Sequence, residues 1–428
     1  MSFDQLGLDP VICRAVSDAG YKTPTNIQSL AIPEVMAGRD VLASADTGTG
    51  KTAAFMLPAL HRLMKPSTST SRGPRILVLT PTRELAAQIT NSARVYGKHL
   101  KRLRTVSILG GMPFEPQRRD LRDHVDIMVA TPGRLLDHHR EGRVDFSRVQ
   151  ILVLDEADRM LDMGFYEDVQ TISKAAAKDR QTILFSATFC KRILSLASDV
   201  TKDAKRIESV RSVVTHDSIT QSVIGADGPE HKFEMLKALI KQQTEGQVIV
   251  FSATKRGADR LADALYDNDF SALALHGDMR QNKRMQAIRK IRENRFQVLV
   301  ATDVAARGID IQTIGLVVNY DMPRTADDYT HRIGRTGRAG ASGRAVTFVS
   351  RHERRDLAQM QKSLGHQIAV ESVAGLEAKF SLSERDMHQV RGGSDRARPR
   401  NGGRGQPRRF FDKRNKNNNN KRRFSQAH

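Results

Sequence analysis

The sharpest chemistry in this sequence is Ala45-Asp46-Thr47-Gly48-Thr49-Gly50-Lys51-Thr52, set between an apolar run (40–44) and a helix-like stretch. A glycine-rich turn that opens a helix offers backbone amides to phosphate oxygens. Its lysine reaches the β- and γ-phosphates, and its threonine hydroxyl binds Mg²⁺. Alanine stands where the generic pattern has its first glycine. A match this relaxed arises by chance in roughly 3% of chains of this length, and the strand–loop–helix setting weighs further against a plain turn. A second cluster, Asp155-Glu156-Ala157-Asp158, ends the run Ile151-Leu152-Val153-Leu154. An acid at the carboxyl end of a buried strand is the Walker-B arrangement for Mg²⁺. Neighbours on a strand point to opposite faces, so Asp155 can address the metal while Glu156 addresses an attacking water. The alternative, a solvated acidic turn, loses ground beside a phosphate loop. A third signal lies far downstream, where His331-Arg332-Ile333-Gly334-Arg335-Thr336-Gly337-Arg338 spaces three arginines at three-residue intervals. Its glycines make a poor exposed helix. Arginine fingers brought from one half of the chain onto a nucleotide held by the other fit better, and hydrolysis would then require a cleft to close. The reading is a P-loop NTPase. Its candidate catalytic residues are Lys51, Asp155, Glu156, Arg335 and Arg338, with Thr52 and Asp155 on Mg²⁺.

These residues need strands to end beside them. Short apolar runs recur at 40–44, 75–80, 126–131, 149–155 and 181–186, and again at 247–252, 271–276, 297–302, 315–320 and 344–349. Continuous hydrophobicity marks strands buried on both faces, the habit of parallel sheets covered by helices. Strand–helix alternation in each half predicts two α/β domains. FSAT occurs at 185–188 and 251–254, and VAT at 129–131 and 300–302. The unequal offsets exclude a tandem repeat and indicate one strand-to-loop design used repeatedly, at strand ends where ligands bind. The polar stretch from Lys202 to Ser218 contains the interdomain linker. From 391 the chain is Arg, Gly, Asn and Gln with few apolar residues, including Asn417–Asn420 in a row. Such a segment cannot bury enough surface to offset its ordering entropy, which predicts disorder.

With 428 residues, a two- or three-domain chain is expected. The formal charge is +21; residues 388–428 supply 13 basic residues against Asp395 and Asp412, a net of +11, leaving +10 for the rest. A basic body with a more basic tail points toward nucleic acid. Two distant cysteines, Cys13 and Cys190, argue against a disulfide framework and against a Cys-ligated zinc site, and fit a reducing compartment. The start carries acids and no basic segment before an apolar one, unlike a secretory signal. No run approaches 18 apolar residues. The expectation is a soluble, cytoplasmic protein. No HxH or HExxH spacing suggests zinc, and the 14 methionines read as packing.

Taken in order, the blocks resemble those of the DEAD-box RNA helicases, from about residue 3 to 376. Gly20-Tyr21-Lys22-Thr23-Pro24-Thr25-Asn26-Ile27-Gln28 resembles that family's Q motif, Asn26 replacing the usual proline. The resemblance implies that Gln28 reads adenine and that Phe3 stacks on it. The loop Ala45–Thr52 is similar to motif I, alanine included. Pro81-Thr82-Arg83-Glu84-Leu85, Gly110-Gly111 and Thr131-Pro132-Gly133-Arg134 resemble loops that hold the RNA backbone. Ser186-Ala187-Thr188 resembles the segment that couples hydrolysis to unwinding through Asp158, with His331 and Arg332 in the same coupling set. Gln281, Arg284, Thr302, Asp303, Arg307 and Gly308 fall where the family contacts RNA, and Asp310 where it meets the ribose. Arg335 and Arg338 match its γ-phosphate arginines. Bacterial members of the RhlE and SrmB types are the nearest in style, given the short core and basic tail.

The resemblance implies an α/β fold of two RecA-like domains, each a mostly parallel sheet flanked by helices, with a disordered basic tail. Its boundaries fall at 1–208, a linker at 209–217, a second domain at 218–376 and a tail at 377–428. It implies ATP and Mg²⁺ as cofactors and RNA, single-stranded or short duplex, as partner, in a ribosomal precursor or an RNA-decay assembly. Three rivals stand beside an RNA helicase. A clamp would use its ATPase only to time release. A DNA helicase would lack the RNA family's loops, whose selectivity can use the 2′-OH. A transporter ATPase would need a membrane segment and an LSGGQ-like string, and neither occurs.

The tail holds three aromatics, Phe410, Phe411 and Phe424, among its cations, a composition suited to phosphate attraction with occasional stacking. Deleting 391–428 is expected to weaken RNA binding and to flatten its salt dependence. Each lost phosphate contact removes roughly 0.9 from the log–log slope on duplex and ~0.7 on single strands. Turnover at saturating RNA is expected to survive, because Arg338 is the last catalytic candidate. Equal affinity and equal slope across a salt titration would leave the tail a solubilising role alone.

Overall fold

Unalternating runs of Ile, Val and Leu become the inner strands of two parallel sheets. The computed structural model describes residues 2–45, 49–67, 71–208, 219–306, 311, 313–337 and 342–382. The first sheet is built from β1 (Val41–Ser44), β2 (Ile76–Leu79), β3 (Thr105–Ile108), β4 (Ile127–Ala130), β5 (Ile151–Leu154), β6 (Gln181–Ser186) and β7 (Lys205–Glu208). The second uses β8 (Ile219–Ala226), β9 (Gln247–Phe251), β10 (Ala272–Leu275), β11 (Val298–Ala301), β12 (Ile314–Asn319), β13 (Gly343–Ser350) and β14 (Ala369–Glu371). Their orders are β3-β4-β2-β5-β6-β1-β7 and β10-β11-β9-β12-β13-β8-β14. Counted within each half, both read third, fourth, second, fifth, sixth, first, seventh. The shared strand-to-loop format therefore reflects one topology used twice.

Each inner strand is buried on both sides. On the first sheet Ile76, Val78, Ile127, Val129, Ile151 and Val153 face one core with Phe55 and Phe185. Their neighbours Leu77, Leu79, Met128, Leu152 and Leu154 face another with Leu135, Met160 and Ile193. The alternation follows the two-residue period of a strand. At about 1.5–3 kcal/mol for each such side chain fully buried, these two layers dominate the stability of this half. Val248, Val250, Val298, Val300, Leu316 and Val318 form the matching layer in the second half.

Four strands escaped the sequence reading, and each has a physical reason. β3 and β7 are edges; β7 carries Lys205, Arg206 and Glu208 exposed around a buried Ile207, so it reads as a polar connection. The linker-like stretch thus begins by completing the first sheet beside β1. β14 is a three-residue edge. β8 opens with Thr220, Gln221 and Ser222, yet lies between β13 and β14. Residues 377–382, assigned to the tail, are packed on the second half. Lys379 N–H donates to Asp227, Arg354 lies over the Phe380 ring, and Leu382 is buried. The linker residues 209–217 and the tail from 383 lie outside the described residues.

Helices begin where the chemistry was expected. Thr82 caps Arg83–Tyr96, its Oγ1 accepting from the Leu85 amide at 3.3 Å. Pro132 opens Pro132–Arg140 at the first turn, where a missing N–H costs nothing. Inside that helix His138 is fully buried and stacks on Phe114, ring centroids 4.1 Å apart. The Arg134 and Arg143 guanidinium groups lie over the same Phe114 ring, at 5.1 and 5.3 Å. Burial, then the charges of Arg134 and Arg143, hold the His138 imidazole below its ordinary value of 6.5. The folded protein thus binds this proton less well than the unfolded chain. Its contribution is full above about 6.5 and drains away as pH falls below it. His138→Phe keeps a stacked ring and removes the titration. It is expected to lose less thermal stability than the wild type between pH 7 and pH 5, and a stability difference independent of pH would acquit His138.

Candidate active site

The phosphate loop leaves the carboxyl end of β1 and feeds the helix Lys51–Leu63. Ala45 and Lys51 are buried, and Thr49, Gly50 and Thr52 are half-buried. Asp46, Thr47, Gly48, Arg307, Gly308, Asp310 and Arg338 lie outside the described residues. Gly50 has φ +90°, and a Cβ there would run into the Gln28 side-chain amide. Only glycine meets both demands. Gln28, expected to read adenine, is 1% exposed and carries the loop as well. Its Nε2 donates to the Gly50 carbonyl (3.1 Å), its Oε1 accepts from the Thr25 amide (3.0 Å), and the Thr25 hydroxyl donates to the Thr49 carbonyl (2.8 Å). One Nε2 hydrogen is left for a ligand. Phe3, expected to stack on the base, is buried in the first hydrophobic core with Leu6 and Leu8.

β5 delivers the two acids. Asp155 is 2% exposed; burial pushes its carboxyl up to about 6 against the pull of Lys51. Glu156 leaves the strand in the left-handed region, φ 51° and ψ 53°, as the residue before the helix Ala157–Asp162. The two carboxylates therefore diverge by a backbone kink at the strand's end, not by strand alternation. Burial raises Glu156, but Arg159, Lys51 and Arg335 together outweigh it and hold the carboxyl below its usual range. The Arg159 Nη1 lies 3.2 Å from Glu156 Oε2. Next along, Asp158 accepts from the Ala187 amide (2.9 Å) and from the Arg159 amide (2.9 Å). Ser186 Oγ donates to the Thr188 carbonyl (2.7 Å), and Ser44 Oγ donates to the Ala187 carbonyl (3.2 Å). Asp158 thus touches the 186–188 segment through its backbone.

From the second half, Arg335 is 5% exposed, and its Nε donates to the His331 carbonyl (3.1 Å). Its charge reaches Glu156. Arg332 has a different task. Its fork grips both Asp303 oxygens (2.6 and 2.7 Å), while Nη1 donates to Asn319 Oδ1 (3.2 Å) and the Asp321 carbonyl (2.7 Å). Arg332 is a strut inside its own half. It occupies the Asp303 carboxylate, a group that phosphate would repel in any case.

Gln281 and Arg284, expected on RNA, bridge the halves instead. Arg83 Nη1 donates to Gln281 Oε1 (2.7 Å), and Arg284 Nε donates to Glu84 Oε1 (2.6 Å). Gln281 Nε2 donates to that same oxygen (3.3 Å), and Arg284 Nη2 to the Ala305 carbonyl (3.0 Å). The Arg284 and Glu84 side chains are 10% and 7% exposed. Gly111, φ +66°, lies under the Arg83 guanidinium, where any Cβ would collide with it. The Gly110 amide donates to Thr131 Oγ1 (3.1 Å), and Arg134 Nη1 to the Met112 carbonyl (2.8 Å). Gly110 to Met112 are thereby tied to Thr131 and Arg134, while Pro81, Thr82, Thr131, Pro132 and Thr302 are themselves buried. Glu84, Arg159, Thr25 and Ser44 were not singled out from the sequence; a charge buried across the cleft has no local pattern.

Residues 25–196 match the DEAD/DEAH box helicase family and residues 231–340 the helicase conserved C-terminal domain. An Arabidopsis thaliana protein, DEAD-box ATP-dependent RNA helicase 30, is 41% identical over 96% of this chain and 69% of its own length. The chain belongs to the DEAD-box RNA helicase family. The Klebsiella pneumoniae ATP-dependent RNA helicase DeaD is 44% identical over 85% of the chain, which spans 56% of that relative's length. Saccharomyces cerevisiae Dbp5 bound to RNA and ADP BeF3 superposes with a TM-score of 0.77 at 34% identity, covering 87% of this chain and 95% of Dbp5. Mss116p bound to ssRNA and AMP-PNP gives 0.79 at 28% identity, over 91% and 80%. Both sheets are thus those of RecA-like domains. A Dbp5 variant bound to Nup159, Gle1, IP6 and ADP gives only 0.60.

Breaking a buried pair by removing one partner costs about 3–5 kcal/mol, because the other charge is left stranded. Glu84→Gln and Arg284→Met are each expected to disfavour closure strongly, and the double variant less than the sum. Fluorescence transfer between labels on the two halves reads this directly. Additive single effects would show that the pair does not hold the cleft.

Proposed function

We propose that this chain is an ATP-dependent RNA helicase whose hydrolysis is stimulated by RNA and coupled to local strand separation. One observation carries the reading: the Glu156 carboxylate pairs with Arg159 (3.2 Å), which donates across to Val304 of the other half (2.9 Å), and it feels the charges of Lys51 and Arg335. A site whose charges come from two domains is complete only when they meet. Because Glu156 is held ionised and weakly basic, it orients and polarises the attacking water more than it abstracts a proton outright. Lys51 and the loop amides bind the β- and γ-phosphates, and Arg335 and Arg338 offset charge on the transferred group.

Asp155 and Thr52 suit Mg²⁺. A buried carboxylate whose burial disfavours its charge gains most from a hard cation that takes oxygen ligands. Bound there, Mg²⁺ would neutralise phosphate oxygens. Gln28 would receive the base and Asp310 the ribose. RNA phosphates would meet Thr82, Arg83, Gly110, Gly111 and the amides opening the helix at Pro132, with Thr302, Arg307 and Gly308 from the second half. A strand gripped across both halves cannot stay in a regular duplex, which favours unwinding over a passive clamp. The basic tail supports the RhlE/SrmB style and polyanionic partners such as a ribosomal precursor or an RNA-decay assembly. The two sheets, within 41–208 and 219–371, support domains near 1–208 and 218–376, with residues 377–382 packed on the second.

Glu156→Gln retains size and hydrogen bonding and removes the charge. ATP is expected to bind normally while turnover falls by a factor on the order of 10² or more. Residues 1–208 alone are expected to bind nucleotide without RNA-stimulated hydrolysis. RNA-stimulated turnover by that fragment would refute the two-domain site.

A further inference from the structure

Arg159 stands where three things meet. Its Nη1 lies 3.2 Å from the Glu156 carboxylate. Its Nη2 donates to the Val304 carbonyl (2.9 Å), in the second half of the chain. Its backbone amide donates to Asp158 Oδ1, and the other oxygen of that carboxylate accepts from Ala187. The side chain is 7% exposed, so water competes little for these bonds. Val304 belongs to the turn Asp303–Ala306, whose Ala305 carbonyl accepts from Arg284 at the cross-half lock. Two arginines therefore hold this one turn, one rooted beside Glu156 and one paired with Glu84.

A guanidinium is a rigid planar fork. Fixing one arm on a backbone carbonyl sets the plane, and with it the direction of the other arm. With the halves apart, Val304 is withdrawn, and the fork can swing about its stem while still attracting Glu156. With the halves together, the plane is fixed, and the carboxylate is turned with it. We propose that Arg159 is a positioning residue that transmits domain closure to Glu156, so that the water-orienting carboxylate is aligned only in the closed protein. This rests on the role given to Glu156 above. A lysine preserves the attraction but lacks the fork; a methionine preserves length alone.

The test uses the full chain with Arg159→Lys and Arg159→Met, measuring ATP turnover with and without saturating single-stranded RNA, KM for ATP and thermal stability. Both variants are expected to lose on the order of ten-fold or more in RNA-stimulated kcat, the scale of a misdirected group. KM for ATP and melting temperature are expected to stay within about two-fold or unchanged, and RNA-free turnover is expected to fall less than RNA-stimulated turnover, least of all in Arg159→Lys, which keeps a cation beside Glu156. Full RNA-stimulated turnover in Arg159→Lys would overturn the proposal, since charge alone would then suffice. Equal loss with and without RNA would overturn it too, because the role would not depend on closure. A lowered melting temperature with proportional loss of every rate would assign Arg159 to the fold. Should wild-type turnover ignore RNA, or Glu156→Gln remain active, the helicase reading itself falls and this proposal with it.

Discussion

A carboxylate kept charged with little water around it must be surrounded by cations, and Glu156 draws them from both halves of the chain. Burial alone would push its proton affinity up, as it does for Asp155 one residue earlier. The difference between the two is their company. Asp155 has Lys51 against Glu156 and Asp158, while Glu156 has Arg159, Lys51 and Arg335. Interactions at such depth strengthen as water is excluded. The arrangement of the halves thus adds the charge of Arg335 to a carboxylate that Arg159 and Lys51 of its own half already hold down.

The repeated topology explains how the constraint is met. Both sheets use the same strand order, so each half presents the carboxyl ends of its inner strands as a row of loops. β1, β5 and β6 lead into the phosphate loop, the acids and the 186–188 segment, while β11 leads into Asp303–Ala306. Such loops are positioned by a scaffold of strands buried on both faces.

Much of this was legible in the sequence, and the parts that were not share a cause. The phosphate loop, Asp155 and Glu156 are local patterns ending apolar runs, whereas the contact of Asp158 with the 186–188 segment came from the family resemblance. The inner strands showed as unbroken hydrophobicity, whereas β7 hid behind Lys205, Arg206 and Glu208. Gln281 and Arg284 were recognised as functional but placed on RNA, because nothing local says that Glu84 lies within reach almost 200 residues away. That Gln28 also carries the phosphate loop was not legible for the same reason; its bond to Gly50 crosses between two separate motifs. Glycines recorded these meetings obliquely. Gly50 admits the Gln28 amide and Gly111 admits the Arg83 guanidinium, so each is required by a partner the sequence does not name.

The character of the contacts between the halves decides whether they can part again. Within each half, cohesion comes from stacked layers of Ile, Val and Leu, a non-directional force that yields only with the whole sheet. Between them, the bonds are polar: Arg83 to Gln281, Gln281 and Arg284 to Glu84, Arg159 to Val304. On separation each of these groups regains water, so a hydrogen bond is exchanged rather than lost, and its net worth is only about 0.5–3 kcal/mol. An apolar seam of equal area would have no such exchange and would hold the cleft shut. Directional bonds also fail together once their geometry slips, which makes closure sharp as well as reversible. A site that depends on Arg335 arriving beside Glu156 can then be assembled and dismantled while both sheets stay intact.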